Sequence, residues 1–257
     1  MMGVLAKTLR TAVAEAWGNR RSFWVQVSAM VANDLAWVAF WLLFFHRVGP
    51  VRGWATEQVM LLFAILATVT GVGMGLLSNA RRIGQLVADG HLDAVLTLPV
   101  GPLGYLLVRK VDTALLGDLA FGPALFLIAG HPTLERTALY LTGSAAGAVV
   151  FVSFLVALGS ITLFAGGRGE QADLGFQAIL IMASYPLDVF GGLTKLVVFT
   201  AIPAAFITGL PVHLIDRFRW STLAAMGAAA AVGAAVATVS FKAGLRHYRS
   251  GALWTRA

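Results

Sequence analysis

Residues 59–101 read VMLLFAILATVTGVGMGLLSNARRIGQLVADGHLDAVLTLPVG, an uncharged apolar run from Val59 to Leu77 followed by a polar stretch from Ser78 to Gly101. The apolar run is close to the roughly 20 residues that a helix needs to cross the hydrocarbon of a bilayer. In the polar stretch, Ile83, Leu86 and Val87 fall on one face of a helix over 79–89. Arg81, Arg82, Gln85 and Asp89 fall elsewhere, and Gly90 is a natural terminator. A second amphipathic run, His91 to Leu98, is stopped by Pro99. A membrane helix that delivers a short rigid helix to one membrane surface can transmit a push from a soluble partner. A solvated connecting loop is the plainer alternative.

The rest of the chain fits a membrane setting. Of its 257 residues 58% are hydrophobic and 12% charged, with a mean hydropathy of +0.81, whereas soluble domains carry about 25% charged residues. The expected fold is all-α and integral to a membrane, with six transmembrane helices. Spans are expected over about 23–45 and 59–77, then one ending near Gly130, then 137–164, one ending near Tyr185, and 220–241. The apolar block from Leu174 to Ile215 is broken by Pro186, Gly191-Gly192, Pro203 and Pro211. It is read as one crossing followed by short helices that dip back into the membrane, where irregular backbone must be shielded by protein or face water. Before the first span, Leu5, Leu9, Val13 and Trp17 recur every fourth residue, and Arg20-Arg21 close the pattern. This predicts an amphipathic helix lying in the interface; a soluble amphipathic helix is the alternative.

With six crossings both termini share a side. Arg47, Arg52, Arg136, Lys195, Arg217 and Arg219 fall on the other, and the remaining 13 of the 19 Lys and Arg residues fall with the termini, which the positive-inside rule places in the cytoplasm. The net charge of +7 then reads as attraction to anionic lipid, with no nucleic-acid role expected.

Several chemistries are disfavoured. There is no cysteine, and no lysine follows a glycine, so the phosphate-cradling GxxxxGK[ST] loop is missing and any ATP is handled by another chain. The five histidines are scattered without HExxH spacing; Gly90 interrupts Asp89, His91 and Asp93, and no nearby ligand completes a metal site. An enzyme acting on lipid would need a polar catalytic cluster at one interface, which the scattered histidines do not supply. Gly71, Gly73 and Gly75 read as helix-packing positions, and the Gly166–Gly169 turn as a helix stop.

Two carboxyls stand inside apolar spans. Asp34 lies about 18 Å up a helix from Ser22, near the middle of a core ~30 Å thick, and Asp118 is expected about 13 Å past Arg109 in the third span. A carboxylate there costs roughly 2.5 to 3.5 kcal/mol on insertion scales, so each should face a cavity or partner. The alternative is that each is hydrogen-bonded within the bundle or held neutral by a proton. Bordering a transport cavity, Asp34 and Asp118 would favour cationic or amphipathic cargo, and Trp37 and Trp41, one turn apart, would line a surface for flat apolar cargo. Lipid contact or dimer packing is the alternative for the two tryptophans. Asp112 with Arg109 and Lys110 reads as an interfacial anchor. An ion-coupled secondary transporter with Asp34 and Asp118 as proton sites is the rival function, weakened by the lack of an internal repeat.

The run Ile83-Gly84-Gln85, followed by Asp89 through Leu96 and Pro99, resembles the cytoplasmic signature of the six-span bacterial permeases of the type-2 ABC exporter superfamily. Their Gly-x-Leu-Asp-x-x-Leu-x-x-Pro pattern is matched by Gly90, Leu92, Asp93, Leu96 and Pro99; Tyr185-Pro186, Pro203 and Pro211 are similar as well, whereas His91 stands where acidic residues are common. The resemblance implies a single permease domain over 1–257: an interfacial helix at 1–22, a coupling segment at 78–101 and a re-entrant outer segment at 186–215. It implies a non-enzymatic subunit of the bacterial inner membrane that exports cargo, paired with a second permease, identical or paralogous. An ATP-binding cassette ATPase dimer would hold ATP and Mg. Arg82, Gln85, Asp89 and Asp93 would carry the contact with that dimer.

Overall fold

The computed structural model describes residues 2–165 and 170–248; the Gly166–Gly169 turn with Arg168, and the basic end with Arg249 and Arg256, lie outside the described residues. The regular structure of those residues is helical, apart from one isolated antiparallel bridge between Val51 and Trp54.

Helices α1 (Met2–Gly18) and α2 (Arg20–Val48) meet at Asn19, whose side chain accepts a hydrogen bond from the Ser22 amide at 3.1 Å and caps α2. Trp17 closes the elbow by edge-on contacts with Phe23 and Trp24. Gly49, with φ of 78°, ends α2. Helix α3 (Thr56–Thr70) is buried on every side from Val59 onward and forms the centre of the bundle. It continues through a π-helical turn, Gly71–Leu76, into α4 (Asn79–Ala88). Then follow α5 (His91–Leu96), α6 (Pro102–Val108), α7 (Asp118–Ala129), α8 (Leu134–Ser160), α9 (Thr162–Ala165) and α10 (Glu170–Ala183). The short pieces α11 (Gly192–Phe199) and α12 (Gly209–Asp216) alternate with 3₁₀ turns at Leu187–Val189 and Ala204–Phe206, and α13 (Trp220–His247) closes the fold.

Small residues set the helix spacing. A Cβ on Gly122 of α7 would sit 2.6 Å from the Ala64 carbonyl oxygen and 2.7 Å from the Thr68 amide, so α3 and α7 touch backbone to backbone there. Helix α13 rests on α8, with Gly233 against Ser153. Overpacking a tight core costs about 1–3 kcal/mol even where side chains can yield, and at Gly122 the obstacle is main chain. Gly122→Val should therefore lower the thermal unfolding midpoint of the purified protein sharply. Gly227→Ala on α13, with nothing within 4 Å of the added methyl, should not.

Among the described residues, four continuous helical stretches are long and apolar enough to cross a membrane: Arg20–Val48, Thr56–Ala88, Leu134–Ala165 and Trp220–His247. A fifth is available if Gly192–Phe199 and Ala204–Asp216, bent by 65°, count as one. The expected third crossing is not a single helix. It breaks between α6 and α7, where Asp112 Oδ1 accepts from the amides of Ala114 (3.1 Å) and Leu115 (3.4 Å) and folds the chain into turns. Asp112 thus shapes a turn where an anchor cluster with Arg109 and Lys110 was expected. Helix α7 has 12 residues and α10 has 14, both short of a full crossing. The breaks expected at Pro186, Gly191-Gly192 and Pro203 are present, but Pro211 breaks nothing: it lies in the first turn of α12, where the missing N–H costs little.

Candidate functional site

Asp118 owes its place to the glycines of the π-helical turn. A Cβ on Gly71 would lie 2.6 Å from the Leu119 amide, and one on Gly75 2.9 Å from the Leu115 carbonyl oxygen. Only bare backbone lets the start of α7 approach so closely, and the Asp112 amide fixes the approach by donating to the Gly75 carbonyl at 2.9 Å. Asp118 therefore stands in the first turn of α7, 1% exposed, with Thr70 Oγ1 2.5 Å from its Oδ2. Asp34, half-buried on α2, borders the same small cavity as Asp118. Asp34 Oδ2 and Asp118 Oδ1 are shut off from solvent with no donor from any described residue. Two carboxyls with buried oxygens on one cavity are stabilised by a proton or by a cationic group that enters the cavity. They border a cavity of about 130 Å³ whose wall also includes Asn33, Trp37, Phe63 and Phe176.

Trp37 borders a second and larger cavity as well, of about 660 Å³ and almost wholly apolar. Phe40, Trp41 and Phe44 of α2 form one wall, and Trp54, Tyr185 and Pro186 form the other. Trp41 stands edge-on to Tyr185 at 6.2 Å between ring centroids and lies tilted 6.4 Å from Phe63. Trp41 Nε1 is buried and has no acceptor among the described residues. The tryptophans and carboxyls that the sequence singled out thus line adjoining spaces that share Trp37. Pro203 and Pro211 fall elsewhere. Pro203 faces a groove between α8 and α13, and Pro211 packs its ring against Gly143.

Helix α4 ends at Gly90 in the left-handed conformation (φ 71°), and α5 follows at once. Its apolar face, with Ile83, Gly84 and Val87 buried, lies against α8, and Gly159 admits Ile83. Asn79 Nδ2 donates to the Leu106 carbonyl at 2.8 Å, and Ser78 Oγ to that of Lys110 at 2.8 Å. Arg81 Nε lies 2.5 Å from Asp173 Oδ1, with its guanidinium 4.4 Å above the Phe176 ring. Helix α4 is therefore clamped to α6, α8 and α10 rather than projecting freely. Gln85 and Asp89 are exposed; Arg82 and Asp93 are half-buried.

Sequence reasoning missed Thr70, which joins Asp118 to the π-helical turn, because a threonine in an apolar run carries no charge signal. It also missed the pairing of Arg81 with Asp173. Among the described residues no group of three His, Asp or Glu side chains could hold a metal ion.

The family described as ABC-2 family transporter protein matches residues 31–252. No curated protein and no solved structure matches the chain.

Proposed function

The chain belongs to the ABC-2 transporter permease family, and from that premise we propose how its cavities and its α4 helix divide the work of moving cargo. As a member it is a multi-pass membrane permease of an ABC transporter and works with an ATP-binding cassette ATPase; we read it as an exporter. In our reading a second permease, identical or paralogous, covers the aromatic face of α2, whose Leu35, Trp37, Phe40 and Leu43 are exposed. ATP and Mg stay on the ATPase dimer, which touches Arg82, Gln85, Asp89 and Asp93. Both termini and α4 face the cytoplasm of the bacterial inner membrane.

ATP-driven closure of the ATPases displaces α4 together with α8 and α10. Leu77 and Ser78 join α4 to the π-helical turn, and the turn ends on Thr70, the hydroxyl that holds Asp118. Movement at the coupling surface therefore arrives at the carboxyl pair. π-Turns of this kind recur at functional sites, where they let a helix change register locally. Tyr185, Pro186, Pro203 and Pro211 belong to the broken segment that shuts the outer end of the path.

The cargo favoured by this arrangement is a flat, amphipathic cation. The observation that carries the reading is that Trp37 borders both the aromatic cavity and the carboxyl cavity. A cargo whose rings lie among Trp37, Phe40 and Trp41 can bring its positive group to Asp34 and Asp118, where it supplies the charge the pair needs; ring faces add about 0.5–2 kcal/mol for a cation.

The test uses inside-out membrane vesicles holding the permease with its ATPase. They should accumulate an aromatic cation such as ethidium when given ATP, well above a neutral aromatic of similar size, and a protonophore should leave this intact. Uptake that stops with the protonophore while ATP is present would favour the rival, an ion-coupled carrier using Asp34 and Asp118.

A further inference from the structure

We propose that the end of the bundle opposite α4 carries a phosphate-binding site formed by Arg217 and Arg219 with Arg52. The loop between α2 and α3, the 3₁₀ turn at Leu187–Val189, the end of α12 and the start of α13 enclose a polar bowl of about 590 Å³. Three carboxylates line it, and each already has a partner. Asp188 Oδ2 accepts from Trp54 Nε1 at 2.8 Å and lies 3.1 Å from His213 Nε2. Glu57 Oε1 accepts from Arg136 at 3.0 Å, and Asp216 Oδ1 stands 4.0 Å from the same guanidinium. Arg52 donates to the carbonyl oxygens of Asp188 (3.1 Å) and Val189 (3.2 Å), neither of them charged.

The side chains of Arg217 and Arg219 line the bowl with no ion pair, hydrogen bond or ring contact among the described residues. Arg52, Arg217 and Arg219 line the bowl with Glu57, Asp188 and Asp216, and Arg136, from outside the lining, already pairs with Glu57 and stands 4.0 Å from Asp216, so the local charge leaves room for an anion. Guanidinium forks match phosphate oxygens in pairs, better than an ammonium does.

The neighbouring side chains place the site at headgroup depth. Phe218 and Trp220 alternate with the two arginines, are 39% and 75% exposed, and stand edge-on with centroids 5.0 Å apart. Exposed aromatics at the start of an apolar helix settle where headgroups meet acyl chains, which puts both guanidiniums level with lipid phosphates. The phosphate comes either from the phosphodiester of a membrane lipid or from a soluble anion. Trp54 lines both this bowl and the aromatic cavity, so an occupied bowl braces the wall beside the proposed cargo path. The proposal itself does not depend on the nature of the cargo.

Native mass spectrometry of the full-length protein, mixed with defined lipids, tests this. Wild type should retain phosphatidylglycerol at least about tenfold better than a galactosyl diacylglycerol with the same acyl chains, a difference of about 1.4 kcal/mol. Arg217→Gln with Arg219→Gln should abolish the preference. Arg217→Lys with Arg219→Lys should keep most of it, which separates loss of charge from loss of fold. Lys242→Gln with Arg246→Gln, which removes the same charge from the far end of α13, should change nothing. A phosphatidylglycerol adduct that resists millimolar inorganic phosphate identifies lipid as the source; one that phosphate displaces, with the same dependence on Arg217 and Arg219, identifies a soluble anion. Equal retention of the two lipids by wild type, or equal loss in the Lys242/Arg246 variant, overturns the proposal.

Discussion

Replacing Asp34 and Asp118 together by Asn is expected to cut ATP-driven export of an aromatic cation by at least about tenfold, while export of a neutral aromatic of similar size changes by less than about twofold. The asymmetry follows from geometry. Asn keeps the size of the side chain, and at position 118 an amide oxygen still accepts from Thr70, so the start of α7 stays docked on the π-helical turn. What is lost is the paired negative charge beside Trp37. An insertion level equal to wild type, read by membrane fractionation, guards against a folding artefact. If cation export matched wild type in the double variant, the carboxyl pair would have no part in cargo selection.

Arg82→Ala combined with Asp89→Ala should remove most cargo-stimulated ATP hydrolysis by the assembled complex, with membrane insertion unchanged. Half-buried Arg82 on α4 and exposed Asp89 at its C-terminal cap are not among its buried residues, so their truncation costs the bundle little. Arg81→Ala gives the contrasting result. It removes the Asp173 and Phe176 contacts that tie α4 to α10, and should slightly lower the thermal midpoint, since pairs this exposed are worth about 0–1 kcal/mol. Because the chain has no cysteine, Gln85→Cys gives a single label. It should crosslink to the ATPase, whereas Gly227→Cys on α13 should not. Wild-type stimulation in the Arg82/Asp89 variant would place the coupling contact elsewhere.

The sequence exposed most of the α4 and α5 region because polar amphipathic helices carry their boundaries openly: Ile83 and Val87 keep a helical period, and Gly90 takes a left-handed conformation that other residues resist. The third crossing was hidden for the opposite reason. In Arg109–Gly117 the apolar content suits a helix, but Asp112 turns the chain by capping its own backbone, a choice made by local hydrogen bonds that hydropathy does not register. Depth reckoning put Asp34 and Asp118 at similar levels, and they do border one cavity. Asp118 arrives there as the first residue of α7, docked on the glycines of the preceding span, rather than part-way up a long helix. The bowl at the far end was invisible because Arg52, Glu57, Asp188, His213 and Arg217 come from separate segments, each reading as an ordinary loop charge. Only the docking of the broken segment onto the α2–α3 loop, through Trp54 and Asp188, makes one site of them.

The central claim is that this chain opens a path while another subunit supplies the energy. The most direct measurement compares liposomes holding the chain alone with liposomes that also hold the ATPase that copurifies with it, loaded with the same aromatic cation. The account predicts no uphill movement by the chain alone, whatever ion gradient is imposed, and movement with the ATPase that starts with ATP and stops when hydrolysis is blocked. Uphill movement by the chain alone would contradict it.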